Sequence, residues 1–405
     1  MKPAPLSLEE AQSRLLSLAV PLPVERVDAE SALGRYLAAP LAARRTQPSA
    51  DLSAMDGYAV RADDLNGPWT LAGESAAGHP FTGTLTPGHA VRISTGALLP
   101  ADAQAIILQE DIKRRNDSIE LSGDPPNPAD KHIRRAGLDF HEGQQVLAAG
   151  ERIGPPQIAL ALSAGHRLLP VRRKPAVAII DSGDELAADC ENCPPNQIPA
   201  SNGAMLAAMA SAVPCRTERL GPVPDTMAAL AGAFDAARHA DLVVTTGGAS
   251  VGDHDLVIPA IEAAGGKIAF WRIAIKPGKP LLVATRHRER GRQVIVGLPG
   301  NPVSSYVTAF LFVLPLLRAM LGAGSPLPRR FEGRLAAPLK ASGSRREFLR
   351  GHWNGLLVAP QTVQDSSALA ALAASNVLID RLPGLPPAEP GDVVHAYLLE
   401  NGGIA

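Results

Sequence analysis

The sequence is short of the residues that mark the commonest chemistries. Only three cysteines occur in 405 residues, too few for the disulfide framework of a small secreted domain. Cys190 and Cys193 form a CxxC pair. A zinc site would want a second pair, and only Cys215 follows, so these read as loop cysteines. The ten histidines fall in no metal-ligand spacing, and no Ser-His-Asp or Cys-His arrangement is suggested by position. No GxGxxG opens a βαβ unit, and the glycine run at Gly247 lacks the Lys-Ser end of a P-loop, which weakens dehydrogenase and NTPase readings. A formal net charge of −1 argues against nucleic acid or a charged membrane surface as partner. The first residues lack the charged-then-apolar order of a signal peptide. No run offers the 18 or so apolar residues of a membrane span; the closest, Val307 to Leu317, is short and ends at Arg318. A soluble cytoplasmic protein is expected. Aromatics are only 4% of residues, so Ala, Leu and Val must carry the packing.

What is present is concentrated between Asp241 and Val303. Three apolar, β-branched runs end there in Gly-rich or Pro-Gly turns: DLVVTTGGASVGDHD, IKPGKPLLVA and VIVGLPGNPV. Such runs predict buried parallel strands, and ligands in open α/β sheets sit beyond their carboxyl ends. After the third, Pro299-Gly300-Asn301-Pro302 leads a long apolar helix. Asn301 suits its N-cap, Pro302 its first position, and the free N–H groups there favour an anion such as phosphate. Lys276 and Lys279 flank a Pro-Gly bend, while Asp253 and Asp255 follow Gly247-Gly248. Glycines, lysines and carboxylates in one crevice suit a phosphorylated ligand with a divalent cation.

At 405 residues the chain should fold as two to four domains. Ser7 to Val20 reads as an amphipathic helix with a Ser7/Glu10 capping box. Met55-Asp56-Gly57 reads as a turn entering a strand, with Asp-Gly supplying a positive φ. From Trp69 to about His132 short strands alternate with Gly, Pro and Asn, a small all-β module; Ser94-Thr95-Gly96 ends one of them. Gly154 to Gly165 reads as a helix, and Leu169 to Pro175 as a domain boundary. From Ala176 the pattern becomes β-α alternation, which predicts a parallel sheet with Ser182 to Glu185, Asp225 and Gly247 to Asp255 along one edge. After Pro326 short strands with regular turns predict a β-barrel of about 80 residues.

Six co-linear motifs carry a resemblance: SAMDGYAVRADDL from Ser53, ISTGALLP from Ile93, DSGDEL from Asp181, TTGGASVGDHD from Thr245, IKPGKP from Ile275 and GLPGNPVSS from Gly297. Together they resemble the molybdopterin molybdenumtransferase family (MoeA-like, related to the gephyrin E domain) over nearly the whole chain. The resemblance implies an elongated homodimer of four-domain chains: a bent N-terminal domain (1–48 and 134–174), an inserted β module (49–133), an α/β molybdopterin-binding domain (175–325) and a C-terminal β-barrel (326–405). It implies Mg²⁺-dependent insertion of molybdate into adenylylated molybdopterin with release of AMP, and an adenylylating enzyme as handover partner. The implied catalytic residues are Asp56, Thr95, Lys276 and Lys279. Substrate would be held by Ser182, Gly183, Gly247, Gly248, Ser250, Gly252, Pro299, Gly300, Asn301, Pro302, Arg350 and Ser366. Glu185, Asp225 and Asp255 offer hard oxygens for Mg²⁺. In the dimer the β module would face the α/β crevice of the other subunit. Two departures stand out: Ser182 replaces the family's usual Thr, and Leu138 stands where a Glu is common. Three alternatives stay open: a non-catalytic pterin-binding or scaffolding protein of this fold, a nucleotide pyrophosphatase, and a tungstate-specific paralogue.

Overall fold

The computed structural model describes residues 4–247, 256–289 and 291–403. Helix α1 (Leu8–Leu18) starts where Ser7 Oγ accepts the Glu10 N–H at 3.1 Å. Its apolar stripe, Leu8, Ala11 and Leu15, joins the core of the α/β domain rather than that of the bent N-terminal part. Gln12 Nε2 fixes it there by donating to Leu311 O at 2.9 Å. Strand β1 (Val24–Asp28) then leads towards the inserted module.

The module is a six-stranded sheet of β2 (Gly57–Val60), β3 (Trp69–Ser75), β4 (His89–Ile93), β5 (Ala105–Leu108), β6 (Ile112–Arg115) and β7 (Ser118–Leu121), in the order β5-β2-β4-β3-β7-β6. Side chains alternate across it, so Tyr58 and Val60 build one core and Ala59 another. Gly57 does not take the positive φ that its Asp-Gly sequence predicts. Its requirement is close approach: a Cβ there would lie 2.1 Å from Ile107 O on β5. Helix α2 (Pro155–Ser163) follows, and β8 (Leu168–Arg172) returns to pair antiparallel with β1.

The α/β domain contains β9 (Ala176–Ser182), α3 (Asn202–Ala210), β10 (Arg216–Val223), α4 (Met227–Ala236), β11 (Leu242–Thr246), α5 (Val257–Ala263), β12 (Gly266–Trp271), β13 (Leu282–Arg288), β14 (Gly291–Leu298) and α6 (Pro302–Met320). The strand order is β10-β9-β11-β14-β13-β12. The first four run parallel, as the β-α alternation predicts, and both faces are covered: Val177 and Ile179 point into one core, Ala178 and Ile180 into another.

The run from Ile275 departs from expectation. Only Ile275–Lys276 is extended at its start, and this pair joins a barrel strand. The apolar part, β13, lies antiparallel to β14, with Leu282 opposite Gly297 and Arg288 opposite Gly291. Two residues separate these strands, and a parallel pair would need a crossover of a dozen or more. An antiparallel strand starts where its parallel neighbours end. The loop carrying Lys276 and Lys279 therefore still arrives at the carboxyl edge of the sheet.

Helix α6 covers the long apolar run that follows Pro299-Gly300-Asn301 and begins at Pro302, as the sequence predicts. Its 19 residues would be long enough to cross a membrane by length and composition, but 89% of that window is buried inside the protein. It is the core helix of the domain. The C-terminal strands β15 (Arg330–Leu335), β16 (Arg346–Trp353), β17 (Leu357–Pro360), β18 (Val377–Arg381) and β19 (Val393–Leu398) form the ring β16-β17-β15-β19-β18, closed by β18 pairing with β16. Arg346 anchors this barrel to α1. Its guanidinium donates to both oxygens of buried Asp380 and also binds Glu9.

Candidate active site

Three backbone turns meet at the carboxyl edge of the α/β sheet. Ser182, at the end of β9, is buried and donates its hydroxyl to Thr246 O at 3.4 Å. Gly247 follows β11 with φ +84°, and a Cβ on it would lie 2.4 Å from Ser182 O. Only glycine fits both constraints. Gly300, after β14, has the Gly247 backbone as its nearest neighbour, 3.7 Å from where a Cβ would sit. Asn202 at the start of α3 reaches across and donates to Gly300 O at 2.7 Å. Ser305 ties down the same turn by donating to Pro299 O. Ser182, Gly183, Gly247, Pro299, Gly300, Asn301 and Pro302 are thereby gathered, as the sequence predicts. Gly248, Ser250, Gly252, Asp253 and Asp255 lie outside the described residues.

Beneath this edge sits Asp181, buried and accepting from Thr246 Oγ1 at 2.7 Å. Burial raises its pKa above the usual carboxylate value despite Thr246, Arg219 and the Gly203 amide. Gly203 must be small, because a Cβ there would lie 2.0 Å from Asp181 Oδ2. Neither Asp181 nor Asn202 was assigned a part from sequence. An Asn opening a helix reads as a cap; here the N-cap position is Ser201, and Asn202 binds another turn.

Acids occupy one side of the edge. The Asp225 N–H donates to Asp184 Oδ1 at 3.1 Å. Burial, then the charges of Asp184 and Glu185, push the Asp225 carboxyl above its ordinary pKa. Glu185 folds back so that a Cβ on Gly183 would lie 2.4 Å from its Oε2. Asp184 is thus a member of the acidic group. Among the described residues no set of three or more His, Cys, Asp or Glu side chains closes into a metal cage.

On the other side stand the lysines. Gly278 packs on the second turn of α6, where a Cβ would meet Thr308 Cγ2 at 2.6 Å. Lys279 is exposed beside it. Lys276 is less free, since its Nζ lies 3.1 Å from Glu347 Oε1 on β16. Asn301 holds the N-cap position of α6 but makes no capping bond; its amide donates to Ser366 Oγ at 3.0 Å. The Val303 N–H, which the sequence left open to an anion, donates to Ser366 O at 3.1 Å. Arg350 is 1% exposed and donates to the carbonyls of Val363 and Asp365, both at 3.0 Å. Burial lowers its pKa. It shapes the loop that delivers Ser366.

Asp56 and Thr95 meet in the β module. Asp56 Oδ1 accepts the Thr95 N–H at 2.6 Å and its hydroxyl at 2.8 Å. These bonds, the amide first, hold the Asp56 carboxyl below its usual pKa, so it is ionised at neutral pH. Leu138 is 67% exposed and offers no polar atom. Cys190, Cys193 and Cys215 are free thiols.

Comparison with known proteins agrees with this architecture along the chain. Residues 6–165 match the family described as MoeA N-terminal region (domain I and II), residues 178–319 the probable molybdopterin binding domain, and residues 332–399 the MoeA C-terminal region (domain IV). The molybdopterin molybdenumtransferase of Haemophilus influenzae is 36% identical over 353 residues, 86% of each chain. That of Bacillus subtilis is 31% identical over 417 residues, covering 99% of this chain and 96% of its own. A crystal structure of a molybdopterin biosynthesis MoeA protein from Pyrococcus horikoshii superposes with a TM-score of 0.79 at 29% identity, covering 98% of this chain and 99% of its own. With its domain order, closed C-terminal barrel and relatives of this identity, the chain belongs to the molybdopterin molybdenumtransferase family.

Proposed function

We propose that this chain inserts molybdate into adenylylated molybdopterin, with Mg²⁺-dependent hydrolysis of the adenylyl group and release of AMP, giving molybdenum cofactor. The observation that carries the reading is the meeting of the turns after β9, β11 and β14, with acids on one flank and Lys279 on the other. Closely approaching backbone at strand ends suits a phosphate, because glycine lets N–H groups reach it. An exposed ammonium with no partner among the described residues suits a tetrahedral oxyanion or charge developing on a bridging oxygen.

The donor set fits Mg²⁺. Asp184, Glu185 and Asp225 present hard oxygens; burial first, then the charges of Asp184 and Glu185, raise the Asp225 pKa, and a divalent cation would relieve the repulsive part. Mg²⁺ keeps several waters and takes substrate phosphate oxygens beside one or two carboxylates. There it would neutralise the pyrophosphate and polarise its phosphorus. Water attack on the adenylyl phosphorus breaks the bond to the bridging oxygen, and AMP departs with the adenylyl phosphate. Lys279 screens the charge left on that oxygen, and ionised Asp56, oriented by Thr95, accepts a proton. Lys276, held by Glu347, sets the bend that presents Lys279.

Asp56 and Thr95 bond to each other, and among the described residues neither side chain bonds to the α/β edge, so the reading places the module of one subunit against the crevice of another. Light scattering should report a dimer. Asp56→Ala and Lys279→Ala homodimers should each lose about 10²- to 10⁴-fold in AMP release. Mixing them through co-expression should restore part of the activity, since one crevice per heterodimer is intact. Absence of complementation would sink the shared site.

The direct test incubates purified protein with adenylylated molybdopterin, Mg²⁺ and molybdate, then measures AMP and pterin-bound molybdenum. AMP release that depends on both ions is expected. Ligand binding without AMP would leave a non-catalytic pterin carrier. The same assay with tungstate separates the two oxyanions. Under this reading the enzyme works in the cytoplasm and receives its substrate from an adenylylating enzyme.

A further inference from the structure

A second concavity lies at the opposite end of the same sheet. It encloses about 730 Å³, within the 300–1,000 Å³ typical of small-molecule sites. Ala176, Arg216, Asp241 and Gly291, which stand at or just before the starts of β9, β10, β11 and β14, line it. The seven residues of β9, at about 3.3 Å each, put roughly 20 Å between this cleft and the turn at Ser182. One ligand of ordinary size cannot touch both.

The walls divide by chemistry. One is apolar, formed by Val20, Pro21, Leu22 and Met320, and Val20 is 52% exposed. The other carries Arg173, Arg216, Arg288 and Arg292 around a single carboxylate, Asp241. Asp241 is already saturated. Oδ2 accepts from Arg173 at 2.9 Å and from the Ala176 amide at 2.9 Å, while Oδ1 accepts from Arg173 at 3.0 Å and Arg288 at 3.2 Å. His239 is engaged with Glu218 at 3.0 Å. Arg216 and Arg292 are exposed and have no acceptor among the described residues. The Nε of Arg288, whose side chain is nine-tenths buried, also lacks a partner among the described residues. Four guanidiniums against one carboxylate leave the cleft short of negative charge.

We propose that this cleft is a second ligand site, which takes a phosphomonoester carrying an apolar or aromatic ring. The dianion supplies the missing charge and enough acceptor oxygens for two guanidinium forks, geometry that a single carboxylate fills less well. The ring lies against Val20, Pro21 and Met320. This site is independent of the AMP-releasing reading, because none of its residues belongs to the carboxyl edge.

The test is calorimetry with phenyl phosphate as probe, and inorganic phosphate beside it. The wild-type chain should bind phenyl phosphate more tightly than inorganic phosphate, and added salt should weaken both. Arg216→Ala/Arg292→Ala should weaken phenyl phosphate at least tenfold. Both arginines are exposed, so the fold should survive, and unchanged circular dichroism checks this. Val20→Asp should weaken phenyl phosphate more than inorganic phosphate. Lys279→Ala, at the far edge, should leave phenyl phosphate affinity unchanged. The proposal is overturned if the double-arginine variant binds as the wild type does. It is also overturned if Lys279→Ala abolishes binding, or if inorganic phosphate binds as tightly as phenyl phosphate.

Discussion

The two ends of the six-stranded sheet are built by opposite means. At the carboxyl end the backbone does the shaping. A Cβ on Gly300 would meet the Gly247 backbone at 3.7 Å, Asn202 and Ser305 secure the carbonyls of Gly300 and Pro299, and Lys279 has no side-chain partner among the described residues. At the amino end side-chain charge holds the structure, with Asp241 clamped by Arg173, Arg288 and the Ala176 amide. Geometry is therefore the vulnerable property at one end and charge balance at the other.

The largest stability effect should come from the amino end. Asp241→Ala removes a buried carboxylate and leaves the guanidinium of Arg288, whose side chain is only 10% exposed, with the Arg238 and His239 carbonyls but no counter-charge at that position. Breaking a buried pair from one side costs about 3–5 kcal/mol, and urea unfolding measures it. Burial works to raise the Asp241 pKa, but Arg173, the Ala176 amide and Arg288 together hold it below the ordinary value. The unfolded chain then binds the proton more tightly. Asp241 contributes stability above the unfolded carboxylate value of about 3.9 and loses it as pH falls through the lower folded value. Asp241→Asn should flatten that part of the acid unfolding curve; an unchanged curve would remove the charge argument.

At the carboxyl end, Gly247→Ala meets both a positive φ and Ser182 O at 2.4 Å, and should cost about 2 kcal/mol or more. Gly300→Ala has room, with its nearest neighbours at 3.7 and 4.0 Å. It should keep stability within about 0.5 kcal/mol and, under the proposed reading, weaken pterin binding by adding a methyl between the two turns. If both alanine variants behave alike in unfolding and binding assays, the claim that this edge is shaped by backbone contact fails.

The same contrast explains what the sequence reveals. β-α alternation and turn residues locate the strands and helices from Ala176 to Met320, because period and breakers are local signals. They do not give direction, so β13 reads as parallel until its two-residue connection to β14 is weighed. Gly57 is legible as special, but the reason, Ile107 O on another strand, is not. Helix α1 reads as amphipathic, yet nothing local says that its stripe joins the α/β core. Asp56 and Thr95 are legible by motif, while Asn202 and Asp181 act through residues far along the chain. Arg350 reads as a ligand contact by motif, while its burial and its bonds to Val363 and Asp365 are not legible in the sequence.

The smallest effect sharpens the acidic flank. Asp184→Asn keeps an oxygen for the Asp225 N–H, now 3.1 Å away, and removes one of the charges acting on Asp225. Burial still raises the Asp225 pKa, so the substitution should lower it only part of the way to the ordinary value. While it stays raised, the folded state holds that proton more tightly than the unfolded chain. Its contribution to stability is then greatest below the unfolded value and declines as pH rises through the folded one. Asp184→Asn should shrink that decline and shift the carboxyl titration seen by ¹³C NMR to lower pH. Added Mg²⁺ should shift it further in the wild type than in the variant, because two charged neighbours hold the cation better than one. Equal displacement in both proteins would take Asp184 out of the cation's surroundings and leave it as the acceptor that fixes the Asp225 backbone.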